Sequence, residues 1–257
     1  MGRRSVSLHD QDRWVFNRLA DDYVARPGYP AALVDRLAAL AGGRGARIAD
    51  LGAGVGHLSL PLAARGLVVS AVEPARAMLD ALVRRAAGGP EIAAVHAAAE
   101  ATALPGGAFD LVLLSDAVHW VDPERCGRET ARLLAPRGAV AIVEALFAAT
   151  PFMNGLAHLL GRENPKARSR PAGAARHLLG LATPGAAPNE ESFRQDAALD
   201  PPTLATVLRS LSFAGPALAP TRLAVLLADA ARLAEACGEA RFTRDLTLRW
   251  SRRHATR

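Results

Sequence analysis

Lysine is almost missing from this chain: Lys166 is the one lysine among 31 basic residues, the others being arginine. The formal charge of +6 therefore comes with an Arg, Ala and Gly bias of the kind that GC-rich coding produces. The arginines are scattered and not interleaved with aromatics, which argues against a nucleic-acid surface. The one dense basic run, "RWSRRHATR" at the C-terminal end, reads as a solvated tail. Cysteine is scarce too. Cys126 and Cys237 have neither close spacing nor histidine company, so neither a disulfide nor a metal site is expected. No uncharged apolar run reaches the length of a membrane span, and "MGRRSVSLHDQDRW" lacks the apolar core of a signal peptide. The expectation is a cytoplasmic protein with no membrane and no nucleic-acid partner.

What is present is alternation. With 257 residues, half of them hydrophobic, the chain can bury a sizeable α/β core. Trp14, Phe16, Leu19, Ala20, Tyr23 and Val24 suit one face of a helix over residues 10–26, which "RPGYP" then ends. A second helix is predicted over Ala31 to Ala41. From there strand patterns ("ARIADLG", "LVVSAVE", "EIAAVHAA", "FDLVLLSDA", "GAVAIVEALF") alternate with helical ones. Five short apolar strands separated by helices imply right-handed βαβ units and a parallel sheet covered on both faces. After Phe147 the rhythm breaks into two short helical patterns among prolines, glycines and arginines. Two further strands near "SFRQDAALD" and "ARFTRDLTLRW" would bring the sheet to seven. The reading is a Rossmann-like, doubly wound, mostly parallel seven-stranded α/β domain. Residues 1–45 form an N-terminal helical cap, 46–147 a ligand-binding core, 148–191 a lid inserted after strand 5, and 192–257 the closing strands and helices.

In "IADLGAGVGHLSLPLAARG" (48–66) glycine recurs at every second position and then gives way to His57. Such a loop at the carboxyl end of the first strand, beside a helix N-terminus, is where an open α/β sheet binds ligands. Glu73 follows seventeen residues after Gly56, at the end of the second predicted strand, where a carboxylate accepts hydrogen bonds from both hydroxyls of a ribose. Together they predict an adenosine-containing ligand. The dinucleotide pattern G-x-G-x-x-G fits poorly, because His57 follows the alternating glycines. Asp50 would also set a negative charge beside a phosphate, whereas it suits an ammonium or sulfonium.

The glycine segment continued to "AVEPARAML" resembles the first two motifs of class I S-adenosylmethionine-dependent methyltransferases, and "AAAEATALPGGAFDLVLLSDAVHWVD" resembles the next two. "LADDYVARPGYP" is similar to the N-terminal signature of the trans-aconitate and juvenile hormone acid methyltransferase branch. The likeness spans residues 14 to about 147. By that resemblance Asp50, Gly52, Ala53, Gly54 and Gly56 line the methionine part of the cofactor, and Glu73 with Pro74 holds its ribose. Met78 packs near the adenine, Ala99 and Glu100 flank its amino edge, and Ser115 and Asp116 face the methionine moiety. Tyr23 and Arg26 close over the cofactor, Arg26 pairing with its carboxylate.

Methyl transfer needs an acceptor aligned with the sulfonium methyl in a site closed to water, and a general base only where the acceptor must lose a proton. His119, after the fourth strand, is the candidate base, and it shares the acceptor pocket with Trp120, Glu144, Phe147, Phe152 and Asn154. Arg162, Arg168 and Arg170 of the lid could receive a carboxylate. The expected activity is methyl transfer to O, N or C of a small-molecule metabolite in a biosynthetic pathway. The alternative is an enzyme of this fold that keeps the cofactor and catalyses a non-methylating rearrangement or cyclisation. A homodimer is the base-rate expectation.

Overall fold

The computed structural model describes residues 14–164 and 173–253; all but the last residue of the stretch read for a signal peptide, Arg168, Arg170 and the end of the basic run fall outside them. Five strands, β1 (Arg47–Leu51), β2 (Val68–Val72), β3 (Ile92–Val95), β4 (Phe109–Ser115) and β5 (Leu134–Phe147), run parallel. With β6 (Asn189–Leu199) and β7 (Ala240–Arg252) they form one sheet in the order β3-β2-β1-β4-β5-β7-β6. Strand order reverses between β1 and β4, which leaves a crevice beyond their carboxyl ends. Because β7 is antiparallel to β5, its N-terminal end lies at that same edge, and Phe147 pairs with Arg244.

Both faces of the sheet are covered, which is why the central strands are continuously apolar. Leu111 and Leu113 of β4 meet Leu33 and Leu37 of α2 (Ala31–Ala41) and Leu62 of α3 (Ser59–Ala64). Val112 and Leu114 meet Cys126 and Leu133 of α5 (Pro123–Leu133) on the other side. The helix expected over residues 10–26 is, in its described part, a 3₁₀ turn at Trp14–Arg18 followed by α1 (Ala20–Tyr23). Its path follows a surface: Leu19 and Ala20 are buried against Val55 of the glycine loop and Met78 of α4 (Arg76–Ala86).

The segment expected as a lid divides in two. In α7 (Ala174–Ala182), Ala175, Leu178, Leu179 and Ala182 are buried with Val140 and Ile142 of β5, so this half covers a face of the sheet. In α6 (Pro151–Glu163), Phe152, Met153, Leu156 and Leu160 pack with Leu204 and Leu208 of α8 (Pro201–Arg209), Leu226 of α9 (Pro220–Ala236) and Phe242. These three helices form a layer at the end of the sheet marked by Phe147 and Phe242. Their starts are well defined: the side chains of Thr150 and Asp200 accept from the Met153 and Thr203 amides, with proline following each cap. No helix among the described residues is long and apolar enough to cross a membrane.

Leu178→Ala is expected to cost about 2–5 kcal/mol, the cavity penalty of a sheet-covering position. Urea unfolding reads this directly, and a loss within about 0.5 kcal/mol, typical of a peripheral position, would contradict the assignment of α7 to the core.

Candidate functional site

The crevice begins at the turn between β1 and α3. Gly52 has φ +78°, and a β-carbon there would stand 2.8 Å from Cβ of Ala117 just after β4, so neither the conformation nor the space admits a side chain. The Gly52 and Ala53 amides donate to the Val72 carbonyl, which ties the loop to the end of β2. Gly54 has φ +57°, and the nearest atom to a β-carbon there would be Cε1 of Tyr23, at 4.0 Å. Glu73 follows β2 and is buried. Its two oxygens accept from the amides of Gly54 at 2.9 Å and Ala75 at 2.8 Å. The Pro74 carbonyl is 3.0 Å from Nε2 of His96.

Asp50, also buried, accepts from the Ser59 hydroxyl at 2.6 Å. Burial pushes its carboxyl up to about 6, the Ser59 hydrogen bond opposing in part. His57 sits in the same neighbourhood, its ring centroid 5.9 Å from that of Tyr23. Burial, then the nearby charge of Arg85, lowers its imidazole to about 4, against a hydrogen bond with the Val24 backbone. Its Nε2 is buried with no hydrogen-bond partner among the described residues.

The cap closes this edge from above. The Arg26 guanidinium stacks 3.8 Å from the centre of the Tyr23 ring and donates from Nε and Nη2 to the hydroxyl and carbonyl oxygens of Ser210, beyond α8. Tyr29 receives a 2.6 Å hydrogen bond from Ser115 at the end of β4. Asp116 follows at φ +50°, a left-handed conformation. One of its oxygens accepts from the Ala145 amide at 3.0 Å, and the other lies 3.5 Å from Nη1 of Arg244. Residues predicted from four separate stretches of sequence are thus assembled around the β1, β2 and β4 ends.

Other predicted residues are placed differently. Met78 and Ala99 are core positions, 1% and 5% exposed. Glu100 accepts from the Asp122 amide at 3.0 Å. His119 and Trp120 lie in a 3₁₀ turn after β4, their rings 5.2 Å apart, and Trp120 also meets Phe16 edge-on at 5.0 Å. Glu144 lies within β5, since the strand continues to Phe147, and it is ion-paired with Arg249, which also binds Glu190. Phe147 packs edge-on against Phe242 at 5.6 Å. Phe152 is buried in the helical layer, Asn154 is exposed, and Arg162 pairs with Glu163 and Asp229.

Sequence reasoning passed over Tyr29, Gln195, Ser210 and Arg244. A signal for two of them was present. Arg244 alternates with Phe242, Leu246 and Leu248, and Gln195 stands opposite it in the β6 register, so both are polar residues on a face that is otherwise apolar.

Residues 49–142 match the family model described as a methyltransferase domain, of type 11. Uncharacterized methyltransferases of Mycobacterium bovis and Mycobacterium tuberculosis are 39% identical over 146 residues, 56% of this chain. The chain spans only 58% of the length of those relatives. A demethylmenaquinone methyltransferase of Clavibacter sepedonicus is 40% identical over 103 residues, covering 39% of this chain and 41% of that protein. A solved structure from Anaeromyxobacter dehalogenans, named as a type II methyltransferase candidate, aligns with TM-score 0.64 at 25% identity, over 90% of this chain and 99% of that one.

Asp50 and His57 make opposite contributions to stability against pH. Asp50 holds its proton more tightly when folded, so its share of stability falls as pH rises from about 4 to about 6. His57 resists protonation when folded, so its share rises between about 4 and about 6.5. At about 1.4 kcal/mol per tenfold change in proton affinity, each is worth about 3 kcal/mol and they largely offset. Urea unfolding from pH 4 to 8 is expected to show Asp50→Asn gaining stability above pH 6 and rising with pH below it, and His57→Asn falling over the same window. Two variants that track the wild type would refute both shifts.

Proposed function

We propose that this class I S-adenosylmethionine-dependent methyltransferase moves the cofactor's methyl group to O, N or C of a small-molecule metabolite. The observation that carries the reading is Glu73. A buried carboxylate at the end of β2, bonded to the glycine-loop amide of Gly54, puts an acceptor suited to ribose hydroxyls beside a loop that leaves room at Gly54. Those residues fit the cofactor. Gly52, Ala53, Gly54 and Gly56 with Asp50 would hold its methionine part, and Glu73 and Pro74 its ribose. Ala99, Glu100 and the core residue Met78 would bound its adenine. Ser115 and Asp116 would face the reacting end, with Tyr23 and Arg26 closing over it.

The bound cofactor supplies an activated sulfonium methyl. The chain's own work is therefore orientation and exclusion of water. Tyr23 and Arg26, anchored to Ser210, shield the loop. The turn carrying His119 and Trp120 comes shortly after Ser115 and Asp116, which supports His119 as the group that takes a proton from an acceptor that must lose one. Trp120 and Phe147 give that side apolar walls. The helical layer of α6, α8 and α9 bounds the pocket, while residues 46–147 form the cofactor core.

Calorimetry with S-adenosylhomocysteine and NADH tests the cofactor: the former is expected to bind and the latter not, and preference for NADH would overturn the reading. Glu73→Ala is expected to weaken S-adenosylhomocysteine by about 1–3 kcal/mol, the cost of a lost charged hydrogen-bond acceptor; unchanged affinity would remove the ribose assignment. With labelled S-adenosylmethionine and an acceptor that turns over, His119→Ala should lower kcat while leaving cofactor affinity in place. Product formed without loss of the label would refute methyl transfer.

A further inference from the structure

Two arginines reach the edge above β4 from opposite ends of the chain, and the groups around them leave positive charge in excess. Arg26 comes from the cap and Arg244 from β7, where its side chain is only 11% exposed. Burial lowers the pKa of Arg26 and the neighbouring Arg244 charge lowers it further, against the attraction of Asp116. Tyr29, whose ring centre lies 5.7 Å from Cζ of Arg244, adds no charge: burial, and then Asp116, raise its pKa. Two guanidinium groups thus stand near one carboxylate, ion-paired to Arg244, in a site largely withdrawn from water, an arrangement that an anion relieves. The cofactor does not cancel the excess, because its amino-acid end is zwitterionic and its sulfonium is positive.

The Arg244 side chain is also held in place. Nε donates to Oε1 of Gln195 at 2.5 Å, and Nη1 faces Asp116 at 3.5 Å. Gln195, itself 3% exposed, is fixed in turn by donating to the carbonyls of Pro27 and Gly28. Among the described residues Nη2 of Arg244 makes no hydrogen bond, which leaves donors on a guanidinium whose plane is set from two sides. The Tyr29 ring lies near it, and the Tyr29 hydroxyl accepts from Ser115.

We propose that Arg244, positioned by Gln195 and Asp116 and backed by Tyr29, is an anion subsite that receives a carboxylate or phosphate group of the methyl acceptor. Arg26 remains the partner of the cofactor carboxylate. The inference rests on reading this crevice as the methyl-transfer site, and it narrows the acceptor to an anionic metabolite.

The test is titration of the full chain with inorganic phosphate and, separately, malonate, each with and without saturating S-adenosylhomocysteine, followed by calorimetry. Saturable binding of at least one probe is expected. Arg244→Gln should weaken it about tenfold or more, the loss of one charge-assisted pair, and Arg244→Lys should fall between the two. Arg194→Gln, which breaks only an exposed pair with Asp245, should bind as the wild type does. The probe that binds more tightly identifies the acceptor group as carboxylate or phosphate. No binding of either probe, or equal binding by Arg244→Gln, overturns the subsite. In that case S-adenosylhomocysteine affinity still stands as an independent reading of the methyl-transfer assignment. Conversely, failure of S-adenosylhomocysteine to bind, with Arg244-dependent phosphate binding intact, would remove that assignment and leave an anion site. Thermal melts separate a purely structural role, since Arg244→Lys would then lose stability with no change in probe affinity.

Discussion

The carboxylate of Glu73 joins the two parts of the chain on which the site depends: the end of β2 that carries it and the glycine turn after β1 that it holds through the Gly54 amide. A buried carboxylate is costly unless its oxygens are satisfied, and here both accept from backbone amides, with Ala75 as the second donor. The turn is fixed further by the Gly52 and Ala53 amides on the Val72 carbonyl. Loop and acid therefore position each other. Lengthening β1, or placing a side chain at Gly52 against Ala117, would move the amides away from the carboxylate and, with it, the whole edge of the sheet.

A second chain of contacts runs outward from that loop. His57 lies against Tyr23, Tyr23 against Arg26, and Arg26 is bonded to Ser210 beyond α8. The glycine loop, the N-terminal cap and the helical layer are thereby linked through stacked planar groups and one arginine. Such stacks hold orientation through their ring and guanidinium faces. His57 serves as more than a departure from a dinucleotide pattern, because its ring is one layer of this stack.

The βα core was legible because its signals are local and repeated. Strands such as "FDLVLLSDA" are apolar on both faces, and loops with glycine or proline stand between them, so type and order follow from pattern alone. The loop and Glu73 were legible for the same reason, being fixed by their distance from strand ends. What the pattern does not carry is which helices cover the sheet and which pack into the separate helical layer. "GAARHLLGLA" and "FMNGLAHLLG" have similar amphipathic spacing, yet α7 lies on β5 and α6 joins α8 and α9, a difference decided by partners far away in sequence. Met78 and Phe152 fall in the same class: an apolar residue at a helical position gives no sign of whether its neighbour is a ligand or another side chain, and both are packed in core clusters.

Two of the residues that sequence reasoning passed over, Arg244 and Gln195, are polar ones that break an apolar alternation. On β7 the side chains of Phe242, Leu246 and Leu248 are buried, and Arg244 takes the intervening place on that face with Gln195 beside it on β6. A strand whose sole task was to close the sheet would gain from an apolar residue there, since a guanidinium withdrawn from water needs partners to offset its desolvation. The chain instead supplies Gln195, Asp116 and the Tyr29 ring from three other elements. So many groups drawn to one charged side chain, at the edge where the parallel strands end, is the arrangement on which the anion subsite is proposed. The antiparallel β7 is what makes it attainable, because only a strand running against β5 begins where the others finish.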